Sequence, residues 1–227
     1  MEVGPVVTFD LFSALLDSRS GGSTALDRIG AAHGWQRPGP EVYDAWDSRN
    51  KEAQRRCAVW VPYRELAVGS LAATYTALDL VGDPARDAEE LLGSVHDWPL
   101  WPDVDEGLGE LAHTYRIGLL SNVDDDLFAT TRAAPYVDPA LALTSQRLGA
   151  YKPDPRIYRR ARQSLGAVVH VATSARDVRG ALEAAIPVVR LRRPGHVLDP
   201  DGPRPTLEAG SVHELSGLVE VAWSRAG

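Results

Sequence analysis

VVTFD, residues 6–10, decides how the rest of the chain is read. It is a short apolar, β-branched run ending in a carboxylate, the pattern of a buried strand with an acid at its C-terminal end. The next segment, LFSALLDSRSGGS (11–23), reads as a turn, with Gly21 and Gly22 marking a break. From Thr24 to about Trp101 every segment has a helical pattern. TALDRIGAAHGW stops at Gly34, PEVYDAWDSRNKEAQRRCA is long and amphipathic, and PARDAEELLGSV follows Asp83 as N-cap with Pro84 at the first helical position. The character then changes: RIGLLSN (116–122), LALTS (141–145), VVHVATS (168–174) and IPVVRL (186–191) read as strands, each separated from the next by a helical stretch. Strands alternating with helices predict an α/β fold, a parallel sheet with helices on both faces. The first strand is parted from the others by an all-helical insertion. The expected division is a sheet-bearing core over 1–18 and 103–227 and a helical insertion over 19–102.

Composition narrows the function. A formal net charge of −7 lacks the basic surplus that phosphate backbones require, so nucleic acid is not the expected partner. One cysteine, Cys57, excludes an internal disulfide and suits a reducing cytoplasm. The N-terminal run MEVGPVVTFDLFSALLDS opens with an acid and is broken by Asp10, so it reads as neither a signal peptide nor a membrane span. A cytoplasmic protein is expected. The six histidines (33, 96, 113, 170, 196, 213) have no local metal-binding spacing. His170, inside an apolar strand, reads as a satisfied core residue. Neither a Gly-rich phosphate loop nor a Gly-x-Ser-x-Gly elbow occurs.

Ligands of open parallel sheets bind beyond the carboxyl ends of the strands. Asp10, Ser121-Asn122, Lys152 and Asp177 all fall just after predicted strands. Lys152 stands out, because Lys51 and Lys152 are the two lysines among 24 basic residues. An ammonium is a compact point charge where guanidinium is a wide planar fork, so a small cation set against one carboxylate is a task for lysine.

In this order, FDLFSALLD, LLSN, YKPDPRIY and VATSARDVRGA resemble the four motifs of the haloacid dehalogenase superfamily. The similarity is greatest to its 2-haloacid dehalogenase-like branch, where the motif lysine is followed by Pro-Asp and, six residues on, a Tyr: here Lys152, Pro153, Asp154 and Tyr158. The resemblance covers nearly the whole chain and implies a Rossmann-like core with a helical cap. It also implies that Asp10 is a nucleophile forming an ester intermediate, that Lys152 keeps Asp10 ionised, and that Ser121 and Asn122 donate hydrogen bonds to the carboxylate, substrate or leaving group. Asp177 would pair with Lys152 or position water. The implied partner is a small, anionic organic molecule, and since dimers are common in the family a homodimer is compatible with it.

Departures from the family pattern are equally informative. Phosphatases of the superfamily carry a general-acid Asp two residues after the nucleophile, where this chain has Phe12. They carry a magnesium-ligating Asp five residues before Asp177, where this chain has Ala172. Both changes point away from Mg²⁺-dependent phosphoryl transfer and towards a hydrolase with no cofactor, although a Mg²⁺ phosphatase and a non-catalytic binding protein on the same fold stay open as alternatives. Within the dehalogenase branch, the loop Asp-x-Tyr-Gly-Thr has become Asp10-Leu11-Phe12-Ser13-Ala14, and Ser-Ser-Asn has become Ala172-Thr173-Ser174. The cap arginine that follows a Trp is replaced by Asp47 after Trp46, leaving Arg49 or Lys51 to supply its charge. The candidate set is Asp10, Lys152, Asp177 and Ser121 as catalytic residues, with Asn122, Phe12, Ser174, Tyr158, Arg49 and Lys51 around the substrate and no metal ligand.

Overall fold

The structure, a computed structural model, describes residues 4–225; the acidic start of the N-terminal run lies outside the described residues. Strand β1 (Val6–Phe9) leads into a single π-helical turn (Leu11–Leu15), and then α1 (Ser18–His33), α2 (Gly39–Arg56), α3 (Tyr63–Leu78) and α4 (Pro84–Gly93) follow without an intervening strand. After α5 (Val104–Leu111) come β2 (Arg116–Ser121), α6 (Asp125–Thr130), β3 (Ala142–Thr144), α7 (Ser145–Leu148), α8 (Pro155–Leu165), β4 (Val168–Ala172), α9 (Ala175–Glu183), β5 (Val188–Leu191), β6 (Glu208–Ala209) and α10 (Leu215–Ser224). All strand pairings are parallel, in the order β3-β2-β1-β4-β5-β6.

The apolar run of β1 is buried on both faces, as a central parallel strand requires. Its neighbours are β2 on one side and β4 on the other, so the strand order reverses at β1 and its carboxyl end opens into a crevice. Asp10 sits at that opening. The two-residue β6 carries too little periodicity to be read from sequence.

The turn expected over 11–23 is corrected: α1 begins at Ser18 and runs through Gly21 and Gly22. These glycines are close-packing positions inside the helix. A Cβ on Gly21 would lie 2.4 Å from the Trp98 side chain, and one on Gly22 would lie 2.3 Å from the Tyr43 ring. Asp17 accepts from the Ser20 amide and supplies the helix start. Asp83 caps α4 as read, accepting from the Ala85 and Arg86 amides.

The two connections joining α1–α4 to the sheet lie side by side. Leu16 and Leu100 form an antiparallel bridge, with Asp17 N donating to Pro99 O at 2.9 Å and Trp101 N to Leu15 O at 3.0 Å. Arg193 clamps this joint: its guanidinium donates twice to Ala14 O and pairs with Asp103 at 2.7 Å. Farther out, α3 has Pro62 at its N-cap with no capping side chain of its own. Asp124, in the loop after β2, fills that role from across the crevice, accepting from Tyr63 N at 2.8 Å and Arg64 N at 3.1 Å.

Two glycines separate packing from propensity. A Cβ on Gly180 of α9 would meet the fully buried Tyr158 ring and hydroxyl at 2.6 Å, whereas one on Gly217 of α10 would meet nothing within 4 Å. Gly180→Ala should cost about 1–3 kcal/mol through overpacking. Gly217→Ala should gain about 0.5–1 kcal/mol through helix propensity. Urea denaturation of both variants checks the pair.

Candidate active site

Asp10 ends β1 and is mostly buried, with its carboxylate facing three donors. Oδ1 accepts from Lys152 Nζ at 2.8 Å and from Ser121 Oγ at 3.0 Å, while Oδ2 accepts from Ser13 Oγ at 2.6 Å. Ser121 is the last residue of β2, the neighbouring strand, and its hydroxyl also accepts from the Leu11 amide at 3.3 Å.

Lys152 lies between α7 and α8, and its side chain is 2% exposed. An ammonium has three protons to donate. Here they go to Asp10 Oδ1, to Asp177 Oδ2 at 2.6 Å and to the Leu120 carbonyl at 2.8 Å. Asp177, in the first turn of α9, is fully buried; its Oδ2 also meets His170 Nε2 at 3.0 Å and its Oδ1 accepts from the Tyr158 hydroxyl at 3.0 Å. His170 Nδ1 in turn lies 3.0 Å from Thr8 Oγ1. A chain of polar contacts thus runs from Thr8 through His170, Asp177 and Lys152 to Asp10.

Burial opposes ionisation of Asp10, but the charge of Lys152, together with the hydrogen bonds from Lys152 and Ser13, outweighs it and holds the carboxyl well below the ordinary carboxylate range. Burial opposes ionisation of Asp177 as well, and the charges of Lys152 and His170 bring it below its ordinary value. Burial and then the charge of Asp177 push the Tyr158 phenol far up, so it remains a donor.

The predicted residues separate into groups by placement. Asp10, Phe12, Ser121, Asn122, Ser174 and Lys51 line a cavity of about 640 Å³ between the sheet and α1–α3. Lys152 and Asp177 lie behind Asp10. Tyr158, expected around the substrate, is instead a fully buried support for Asp177. Asn122 lines the cavity, and its amide accepts from Lys152 N at 2.7 Å and donates to Lys152 O and Gln54 Oε1, both at 2.9 Å, so it fixes the lysine backbone and does not touch Asp10. Arg49 does not line the cavity, because its guanidinium turns back to the Ala45 carbonyl one helical turn earlier at 2.8 Å. Lys51 reaches the cavity but is paired with Asp47 on the same helix. His170, read as a core residue, is buried as expected and also carries the inner end of the network.

Sequence reading missed the α2 stripe Trp46, Asn50 and Gln54, which is buried and lines the cavity. Its spacing of four residues is the available signal. It also missed Arg176, although this residue directly precedes Asp177 within VATSARDVRGA. Aromatic side chains close the cavity opposite Asp10: Phe12 stacks on Tyr63 at 5.8 Å between ring centroids and meets Trp98 edge-on at 5.9 Å.

The donor set does not fit a divalent metal. Lys152 already occupies oxygens of both Asp10 and Asp177, Ala172 offers no ligand, and the Phe12 carbonyl accepts from the Ser18 hydroxyl. A hard cation needs several oxygen ligands, and among the described residues no group of three His, Cys, Asp or Glu could hold one.

No protein-family model matches the chain. It is 28% identical over 201 residues to (S)-2-haloacid dehalogenase 4A of Burkholderia cepacia, covering 83% of each protein. It is 35% identical over 80 residues to the (S)-2-haloacid dehalogenase of Pseudomonas sp. strain YL, covering 34% of each. Among solved structures, the L-2-haloacid dehalogenase of Xanthobacter autotrophicus with chloropropionic acid covalently bound superposes with a TM-score of 0.81 at 20% identity, covering 96% of this chain and 99% of that one. The chain shares the fold of this dehalogenase structure and is similar in sequence to an (S)-2-haloacid dehalogenase over most of its length.

The charge network makes a pH-dependent prediction. Asp10 and Asp177 have folded pKa values below the usual 3.8, so their contribution to stability is present above about pH 4 and is lost as pH falls further. Lys152→Met would leave two buried carboxylates without their cation, at a cost of about 3–5 kcal/mol at neutral pH. Protonation relieves that cost, so the deficit relative to wild type should shrink on acidification towards pH 4. Urea denaturation of both proteins across this range measures it.

Proposed function

We propose that the protein is a metal-independent hydrolase that uses Asp10 as nucleophile to displace a leaving group, such as halide, from carbon 2 of a small organic acid. The observation that carries this reading is the carboxylate of Asp10 held ionised by a buried ammonium in the wall of a partly enclosed cavity. Oδ1 is occupied by Lys152 and Ser121, and we assign attack to Oδ2, which has Ser13 as its one donor. The new C–O bond forms as the carbon–halogen bond breaks, with its electron pair leaving as halide. The product of this step is an ester on Asp10.

Water then attacks the Asp10 carbonyl carbon and releases the hydroxy acid. Hydrolysis restores the Asp10 carboxylate and sets free one proton, which passes to solvent, while Asp177 holds Lys152 in place behind Asp10. Halide needs no proton to depart, so Phe12 is compatible at a position where phosphatases need an acid. A buried reaction site strengthens each of these electrostatic contacts. The insertion α1–α4 serves as a cap, with Phe12, Tyr63 and Trp98 excluding water. The relative solved with chloropropionic acid bound covalently supports this class of intermediate, and the (S)-2-haloacid dehalogenases support organic acids as the substrate class.

Halide release from short (S)-2-haloacids in the presence of EDTA is the test. Wild type should release halide unaffected by the chelator, and Asp10→Asn should lose about 10³-fold or more. Activity that requires Mg²⁺, or that survives Asp10→Asn, contradicts the reading.

A further inference from the structure

The cavity over Asp10 is lined by four basic side chains, Arg19, Lys51, Arg176 and His196, and they differ in how their charge is used. Arg19 pairs with Asp44 at 2.8 Å and Lys51 pairs with Asp47, both on α2. Burial and the neighbouring charge of Lys51 lower the pKa of His196 and favour its neutral form. Arg176 has no acidic partner among the described residues. Its Nη2 donates to Gln54 Oε1 at 2.9 Å and its Nη1 to the Lys51 carbonyl at 3.5 Å, both neutral acceptors on α2. A half-buried guanidinium with five donors and two neutral acceptors retains both charge and free N–H groups.

A second, independent feature lies one helical turn from Gln54. Asn50 is 2% exposed and lines the same cavity, yet one end of its amide has no partner. The other end meets the Tyr63 hydroxyl at 3.0 Å. Turning the amide lets its oxygen accept from that hydroxyl and leaves its N–H donors at the unpartnered position in the cavity wall. Buried polar groups are almost always satisfied, so an orphaned amide facing a cavity is a place for a polar ligand.

We propose that Arg176, with Asn50 beside it, forms the subsite that receives a monovalent anionic group of the substrate. The cationic side chain of this lining that no carboxylate answers therefore stands in the first turn of α9, whereas α2 presents a neutralised Asp47–Lys51 pair. Arg176 determines specificity: it selects substrates that present an anion on the side of Asp10 facing α2. The proposal rests on the Asp10-hydrolase reading for the source of the anion, which is either the substrate carboxylate or the departing halide.

Binding of two unreactive probes tests the subsite without turnover. Sodium propionate is followed by saturation-transfer NMR and sodium bromide by ⁸¹Br line broadening, at constant ionic strength. Wild type should bind at least one of them. Arg176→Gln should weaken that binding about tenfold or more, the loss of a charge-assisted contact. Arg176→Lys should retain part of it, and Lys51→Gln should stay within about twofold. Loss with propionate identifies a carboxylate anchor, and loss with bromide a leaving-group site. Absence of binding to wild type, or equal binding by a folded Arg176→Gln, overturns the subsite. Asp10→Asn should still bind the probes. Arg176-dependent binding by a protein that hydrolyses no haloacid would leave the subsite standing and remove the hydrolase reading.

Discussion

Everything about this site depends on one ammonium being fully spent. Lys152 gives its three protons to Asp10, Asp177 and a backbone carbonyl, so it is held in place by each of the elements it connects. Two carboxylates share one cation in a dry interior, a costly arrangement unless every polar atom is answered. The answers come from Ser13 and Ser121 on Asp10, and from Tyr158 and His170 on Asp177. Arginine could not replace the lysine here, because a planar fork cannot place single contacts on two carboxylates and a carbonyl in so small a volume.

The fold makes this possible through the position of β1. Because the strand order reverses there, residues from β2, from the loop preceding α8 and from α9 converge on the end of one central strand. The inserted helices close over the same point. They are tied to the sheet by the Leu16–Leu100 bridge and the Arg193 clamp at the joint, and by Asp124 and Gln54 across the crevice. Gln54 accepts from both Asn122 and Arg176, so a single amide on α2 joins the loop after β2 to the start of α9.

Much of this was legible in the chain. The alternation of apolar β-branched runs with helical stretches marked the parallel sheet, and a polar residue closed each strand that faces the crevice. Lysine in an arginine-rich chain marked the cation. What was not legible depended on three-dimensional packing. Gly21 and Gly22 look like a break in one dimension, but they are where Trp98 and Tyr43 approach a helix. Tyr158 matched a motif spacing, yet its role beneath Asp177 depends on the crossing of α8 and α9. Arg49 and Lys51 offered the right charge on the right helix. A helix turn settles which of them reaches the cavity, and an intrahelical pair with Asp47 neutralises the one that does. Arg176 stands beside Asp177 in the last motif, but one arginine among many becomes distinctive only when its neighbours' charges are accounted for.

The central claim is that Asp10 becomes covalently bonded to the substrate. It is tested most directly by running many turnovers of an (S)-2-haloacid in H₂¹⁸O and measuring the mass of the peptide that contains Asp10. Attack of water on an Asp10 ester places ¹⁸O in that carboxylate, so the peptide should gain mass while product from a first single turnover carries unlabelled oxygen. A peptide of unchanged mass, with ¹⁸O in the product from the first turnover, would mean that water attacks the substrate directly and would contradict the account.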